Sequence, residues 1–202
     1  MDKSKLKKKI DRAGLLPQAR FLFKYFYLKP KEFFLNFIGY GYNNILTHVP
    51  SYALRKFYLT TFMGVKIGKG SFIHMGCIFY KNVSIGKNSV IGRQCHLLGN
   101  ITIKDNVSIT AQTYIASSSH YTNSLTFQAF TRPVVIENRV WIGARAMILP
   151  GVKISEGAVL GAMSIATADI PEFKIYAGNP AKLIGERNKE IEYTLNYQPF
   201  FQ

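Results

Sequence analysis

A chain of 202 residues is long enough to bury a full core, and 48% hydrophobic against 18% charged residues excludes a disordered polyelectrolyte. Its net charge of +15 would attract phosphorylated ligands, anionic membrane surfaces or nucleic acid. Nucleic acid ranks last, because no helix-turn-helix, zinc-finger or RNA-binding sheet motif accompanies the charge. Two cysteines exclude a disulfide framework and predict a reducing compartment.

Residues 1–64 form a basic, aromatic-rich segment with 12 Lys/Arg against 3 Asp/Glu. The segment contains neither a secretory signal pattern nor an apolar stretch long enough to span a membrane. We therefore expect a cytoplasmic protein, with a peripheral contact at the inner membrane face as an additional possibility for this segment.

The segment is predicted to be a mainly α-helical appendage. Residues 1–16 are lysine-rich and expected to be frayed, and Pro30 should divide the aromatic stretch Phe21–Ile38. Basic and apolar residues alternate at helical spacing over Ser51–Phe62, and this helix should end near Gly64. We expect the apolar face of the appendage to cover the end of the main domain; the alternative is an interfacial anchor.

A six-residue repeat begins at Ile67. Every sixth position holds a large apolar residue in two runs: Ile67, Ile73, Phe79, Ile85, Ile91, Leu97, Ile103, Ile109 and Ile115, then Ile136, Ile142, Ile148, Ile154 and Leu160. Four positions after each lies a mostly small or β-branched residue, ending with Ser119 in the first run. Three units return the chain to its starting face, and coils stack at about 4.8 Å. Residues 65–171 are therefore predicted to form an all-β parallel β-helix of about five coils.

The two runs are out of phase with each other. If Ile136 lies on the same face as Ile103, an insertion interrupts the coil, and we predict a loop over residues 121–135. Cys77 and Cys95 are eighteen residues apart, so they should stack in adjacent coils as buried thiols. Residues 172–202 are predicted to form a turn, a short charged helix and an aromatic tail.

Five segments accompany the repeat: Ser119-His120, Val140-Trp-Ile-Gly143, Leu149-Pro-Gly151, Gly161-Ala162 and Ala177-Gly-Asn-Pro-Ala-Lys182. Together they resemble the hexapeptide-repeat acyltransferases, nearest to sugar O-acetyltransferases of the galactoside, maltose, nodulation-factor and capsule or exopolysaccharide types. The resemblance covers about residues 55–185. It implies a left-handed coil, acetyl-CoA as co-substrate, and a homotrimer whose active sites lie between subunits, with the inserted loop reaching a neighbour.

His120 is the candidate catalytic base. It stands where the regular coil meets the inserted loop, it aligns with the family's catalytic histidine, and an imidazole with a pKa near 6.5 can accept a hydroxyl proton at neutral pH. None of the three residues after His120, up to Asn123, is acidic. We therefore expect a backbone carbonyl to orient its second ring nitrogen. His96 and Asn123 are candidates for the acceptor side.

The remaining site residues come from the resemblance alone. It implies an oxyanion donor at the Ala144 backbone N–H and an acetyl-CoA site of Trp141, Gly143, Ala144, Ala162, Thr167 and Lys182. Trp141 as a packing residue and Lys182 as plain surface charge are the alternatives. Relatives often carry a basic residue, which contacts a coenzyme phosphate, at the position of Ala168. Lys182 or Arg187 would make that contact in this chain.

Several functions compete with sugar O-acetylation. The case for N-acetylation of a nucleotide-linked amino sugar is weak, because Gly39-Tyr-Gly41 is the one segment that suggests the glycine fingerprint of a nucleotide-binding unit. An antibiotic acceptor stays open. A zinc hydratase needs three converging histidines, and His74, His96 and His120 are out of phase with the eighteen-residue coil, so no metal is expected. A scaffold that binds a membrane or partner is the non-enzyme alternative.

Overall fold

The computed structural model describes residues 26, 29–80, 82–197 and 199. The chain divides into two compact units, Met1–Gly41 and Tyr42–Gln202, and the second contains the repeat. Helix α1 (Pro30–Asn44) begins at Pro30, whose fixed φ suits a first helical turn, and it crosses the boundary between the units. The expected frayed start at residues 1–16 lies outside the described residues.

Two further helical segments follow in the second unit, a 3₁₀ turn (Leu46–His48) and helix α2 (Tyr52–Thr61). The Ser51 hydroxyl caps α2 by accepting from the Leu54 N–H at 3.4 Å, and Gly64 follows in the left-handed region at φ +68°. The helix predicted over Ser51–Phe62 is confirmed. None of the described helices is long and apolar enough to cross a membrane.

The repeat forms a parallel solenoid with three faces, whose strands stack in about six turns against the five predicted. Face A contains β1 (Lys66–Ile67), β4 (Val83–Ile85), β7 (Ile101–Ile103), β12 (Val134–Ile136) and β15 (Lys153–Ile154). Face B contains β2 (Phe72–Ile73), β5 (Val90–Ile91), β8 (Ser108–Ile109), β13 (Trp141–Ile142), β16 (Val159–Leu160), β18 (Lys174–Ala177) and β19 (Lys182–Glu186). Face C contains β3 (Ile78–Phe79), β6 (His96–Leu98), β9 (Tyr114–Ala116), β14 (Met147–Ile148) and β17 (Ile165–Ala166).

The register confirms the eighteen-residue coil. Ile67 pairs with Ile85, and Ile136 pairs with Ile103 across the insertion, as the phase argument required. The large residues of the repeat point inward and are buried, except that Ile67 in the first coil is half-buried. Regular alternation of one inward and one outward residue therefore fills the core with aliphatic side chains.

The insertion differs from the prediction in its bounds. The chain leaves the coil after Ser117, three residues early, and forms an antiparallel hairpin of β10 (Ser118–His120) and β11 (Ala129–Thr131). The coil resumes at Val134 rather than after residue 135. The inward corner position is taken by Ser117, whose hydroxyl accepts from the Asn100 N–H at 2.8 Å. Ser119, which the six-residue spacing would place at that corner, is exposed instead.

The C-terminal region also corrects the prediction. The short charged helix expected after Lys182 is a strand instead, because β19 turns back and pairs antiparallel with β18. The predicted turn joins the two strands, and Ser164 on the coil below holds it by accepting from the Gly178 N–H at 2.9 Å.

Residues from Tyr42 onward close the open end of the first coil. Three side chains bond to its carbonyl oxygens: Thr47 to Cys77 at 2.8 Å, Tyr52 to Ser71 at 2.7 Å and Arg55 to Ile73 at 2.8 Å. Tyr42 and Leu59 are completely buried against the core. This part of the appendage therefore covers the β-helix, which confirms the expected covering role from Tyr42 onward.

Cys77 and Cys95 are buried free thiols in adjacent coils, since the next residues, Ile78 and His96, are paired partners. Burial raises the pKa of the Cys77 thiol. The predicted stacking of two buried cysteines in adjacent coils is confirmed.

Candidate functional site

His120 ends β10, and its ring packs edge-on against Phe127 on the return of the hairpin, with centroids 4.3 Å apart. Its Nδ1 is buried and has no hydrogen-bond partner among the described residues. The expected backbone carbonyl is therefore not found within the described part of this chain. The aromatic contact holds the ring from one side. A buried Nδ1 needs a hydrogen-bond partner, and the described residues do not supply one.

The hairpin tip is open to solvent. Asn123 is exposed, Leu125 is fully exposed, and the Phe127 and Tyr121 side chains are 63% and 46% exposed. Apolar side chains this prominent on a short hairpin are typical of an interaction surface.

Ala144 lies at the corner between faces B and C. Its carbonyl accepts from the Met163 N–H at 2.8 Å, whereas its own N–H has no acceptor within the described chain. Gly143 keeps this corner tight, because a Cβ there would lie 2.4 Å from the Ala162 backbone nitrogen. An N–H held in place without an acceptor can stabilise negative charge on an incoming oxygen.

The predicted acetyl-CoA residues are spread around the last three coils. Ala162 follows Ala144 one coil further at the same corner and is exposed. Trp141 lies on face B, 49% exposed, and its Nε1 donates to the Thr110 hydroxyl at 3.2 Å. Thr167 lies at the corner between faces C and A, and Lys182 is exposed at the start of β19.

Arg187 cannot replace the missing phosphate contact. Its guanidinium donates to the Arg139 carbonyl at 2.8 Å and to the Gly157 carbonyl at 3.2 Å, and it lies 5.5 Å from the Tyr193 ring centroid. These partners belong to the corner between faces A and B, away from Ala162 and Lys182. Lys182 is left as the candidate cation.

One chain does not bring the proposed base and the oxyanion donor together. His120 lies on the hairpin between faces C and A, whereas Ala144 lies between faces B and C, so face C separates the two corners. The two candidate groups thus lie on two different edges of the same prism.

The other histidines lie elsewhere. His74 is buried in the first coil and packs against Tyr197 at 5.5 Å between ring centroids, and His48 is exposed in the 3₁₀ turn. His96 faces outward on face C, as predicted. Within the described ranges no three His, Cys, Asp or Glu side chains are grouped as metal ligands.

The outer side of face C contains a cavity of about 410 Å³. The sequence pattern predicts one of its lining residues but not the cavity itself. Seven polar or aromatic residues line it: Asn43, His48, Gln94, His96, Gln112, Thr113 and Tyr114. His96 was singled out from the sequence. The spacing of eighteen between Gln94 and Gln112 was the available signal for the others, because it stacks the two amides in adjacent coils.

Comparison with known proteins agrees with this geometry. The model of the bacterial transferase hexapeptide, in six repeats, matches residues 64–95, 82–117 and 133–167. A chloramphenicol acetyltransferase of Klebsiella aerogenes is 49% identical over 61 residues, which is 30% of this chain and 29% of that protein. A putative acetyltransferase of Staphylococcus aureus is 41% identical over 59 residues, or 29% of this chain and 30% of that protein. The chain thus spans about a third of the length of these curated relatives.

Solved structures are similar over more of the chain. A maltose O-acetyltransferase from Clostridium difficile has a TM-score of 0.63 at 26% identity, covering 80% of this chain and 88% of that one. A hexapeptide-repeat acetyltransferase from Vibrio cholerae, solved with acetyl coenzyme A, gives 0.64 at 26% identity, covering 77% and 86%. A mutant N-acyltransferase from Bacillus cereus, solved with dTDP and coenzyme A, gives 0.61 at 26% identity, covering 64% and 77%.

The repeat, its buried aliphatic columns and these similarities define the class of protein. Over residues 64–117 and 133–167 the chain carries the repeats of the bacterial hexapeptide transferases, and its solenoid is a left-handed β-helix.

Proposed function

We propose that the protein is an acetyl-CoA-dependent O-acetyltransferase that acetylates a sugar or polysaccharide-precursor hydroxyl. The observation that carries the proposal is the Ala144 N–H, held without an acceptor at a tight corner, in a fold that also presents the His120 imidazole on a hairpin. Acyl transfer needs a proton acceptor for the attacking hydroxyl and a donor for the charge on the acyl oxygen.

The residues present fit acetyl-CoA, which supplies the activated acetyl thioester. Ala144 and Ala162 leave a small-residue column with room for the thin pantetheine arm, and Lys182 offers an exposed ammonium to the coenzyme phosphates. Trp141 would flank the arm from face B. His120 would accept the hydroxyl proton on Nε2. This nitrogen is the usual base when Nδ1 makes a hydrogen bond, here to a group outside the described residues.

The working unit of the proposed enzyme is a homotrimer in which His120 of one copy meets the Ala144 corner of the next. The support is the separation of the two candidate groups by face C, together with the fully exposed Leu125 on the hairpin tip. A threefold ring closes when each copy donates one edge and receives the other, which is a heterologous interface with cyclic symmetry.

Two other acceptors have specific support. The similarity to an N-acyltransferase solved with dTDP favours an amino sugar, and the similarity to chloramphenicol acetyltransferases favours an antibiotic. The decisive experiment is an acceptor screen with acetyl-CoA that reads free thiol release across neutral sugars, nucleotide-linked amino sugars and chloramphenicol. Thiol release with sugars supports the proposal, and release only with an amine or an antibiotic contradicts it.

A further inference from the structure

The cavity on face C is lined mainly by polar side chains. Lys, Arg, Asp and Glu are all absent from its lining, which consists of amides, imidazoles, a phenol and a threonine hydroxyl beside Gly76 and Ile78. Its volume of about 410 Å³ falls within the range of roughly 300–1,000 Å³ for small-molecule sites. A phosphorylated or carboxylated ligand would meet no Lys or Arg side chain in the lining itself, because the adjacent Arg145 guanidinium is bound to the Gln112 Oε1, so the lining favours a neutral ligand.

The lining offers hydrogen bonds in both directions. Within the described part of the chain, the His48 and His96 imidazoles and the Tyr114 hydroxyl make no hydrogen bond. Gln94 uses only its Oε1, which accepts from Gln112 Nε2 at 2.9 Å, so its own amide N–H groups are available. Imidazole and phenol groups both donate and accept, as sugar hydroxyls do.

Few apolar side chains line the cavity. Tyr114 supplies one aromatic face, 36% exposed, with its ring centroid 5.6 Å from that of His96, and Ile78 is the one large aliphatic side chain of the lining. A single aromatic face surrounded by hydroxyl and amide partners matches the mixed surface of a sugar ring.

The cavity also lies beside the proposed transfer point. Arg145 follows Ala144 and donates from Nε to Gln112 Oε1 at 2.6 Å, so the lower end of the cavity is one coil from the Ala144 corner. Adjacent coils are about 4.8 Å apart. A sugar ring against Tyr114 would therefore place a neighbouring hydroxyl or sugar unit near the Ala144 N–H.

We infer that this cavity binds a neutral saccharide, and that this saccharide is the acceptor or the adjoining sugar unit of the acceptor. The inference rests on the proposed acetyltransferase function and adds to it the place where the sugar binds, the neutral character of that sugar and the residues that recognise it. Gln94, Gln112 and Tyr114 are its principal contacts, with His48 and His96 completing the hydrogen bonds.

Saturation-transfer NMR on the full chain without acetyl-CoA tests the inference. The probes are maltose, cellobiose, galactose and N-acetylglucosamine, with chloramphenicol as the competing class. We expect at least one neutral saccharide to bind, and Tyr114→Ala and Gln94→Ala each to weaken it about tenfold, the loss typical of one good contact. The matched control is Tyr80→Ala, an exposed tyrosine on the same face outside the cavity, which should bind like the wild type.

The outcomes separate this inference from the proposed function. The inference is overturned if no saccharide binds, if binding survives both cavity substitutions, or if chloramphenicol alone binds and depends on Tyr114. If a saccharide binds in the cavity but no acceptor elicits thiol release, the cavity stands and the acetyltransferase proposal fails. In the transfer assay, Tyr114→Ala should raise KM and leave kcat near the wild-type value. A thermal melt of each variant detects loss of fold.

Discussion

At His120 the imidazole is held by Phe127 and has a buried Nδ1 that lacks a partner among the described residues. General-base catalysis typically contributes about 10²–10⁴-fold, so His120→Ala should lower kcat by that factor while coenzyme binding persists. Asn keeps much of the shape but cannot take a proton, so His120→Asn should be equally poor. Steady-state kinetics and coenzyme titration measure the two effects. Retention of more than about a tenth of turnover would place the base elsewhere.

Arg55 is the largest completely buried side chain in the described part of the chain. Burial lowers its pKa, and its guanidinium donates to the Ile73 carbonyl at 2.8 Å beneath the cap. Arg55→Ala leaves that carbonyl unsatisfied and opens a cavity, so the free energy of unfolding should fall by about 2–4 kcal/mol. Lys56→Ala, one residue further on α2, should change it by no more than about 0.5 kcal/mol. Denaturant melts that show equal effects for the two would contradict the capping role of Arg55.

At the scale of elements, the corner formed by Gly143 and Ala144 has no room for an added methyl group. A methyl at Gly143 would lie 2.4 Å from the Ala162 nitrogen, so Gly143→Ala should shift the Ala144 N–H and lower kcat by about 10²-fold, as loss of one oxyanion donor does. Gly39→Ala in α1, where no atom lies within 4 Å of the added methyl, should leave kcat unchanged. Wild-type kcat in the Gly143 variant would show that this corner takes no part in transfer.

The hairpin is the second element with a measurable role. We expect Leu125→Asp to shift the assembly from trimer to monomer, because a charge cannot be buried against a neighbour without a partner. Sedimentation velocity measures the shift, and Tyr80→Ala serves as a surface control. A trimer that is equally stable in the Leu125→Asp variant would mean that the hairpin tip stays in solvent.

The repeat made the coils predictable because each inward residue follows the same six-residue rule, and Ile136 could be placed beside Ile103 by phase alone. The hairpin bounds could not be obtained in this way. Ser117 and Ser119 are identical in type, and only the hydrogen bond from Asn100 decides which one takes the corner. The β19 strand was missed since its charged residues also suit a short helix, and pairing with β18 overrides that local preference.

The candidate site was predictable in part. His120 could be found from its position at the break in the repeat, but the cavity on face C needs Asn43 and His48 from the cap beside Gln94 and Tyr114 from the coil. No local pattern joins segments so far apart in the chain, so this site emerges only from the packing.

For the whole molecule, charge is distributed unevenly along the chain. Residues 33–136 contain nine Lys/Arg and one Asp, whereas residues 137–202 contain seven of each sign. The first three coils should therefore attract anionic surfaces, and we expect weak binding to vesicles that contain phosphatidylserine, decreasing steeply from low to physiological salt. Vesicle flotation measures it, with phosphatidylcholine vesicles as the control. Tight binding that resists salt would favour an apolar membrane anchor instead.

The most direct test of the central claim is complementation between two inactive variants. His120→Ala removes the proposed base, and Ala162→Trp blocks the coenzyme column at an exposed position that leaves the fold intact. Each homotrimer should be inactive. Refolded together in equal amounts, the two chains should regain about a quarter of wild-type thiol release with the best acceptor, because random mixing joins an intact His120 of one copy to an intact corner of the next in about one site in four. Mixed trimers that stay as inactive as the separate variants would contradict a site shared between copies.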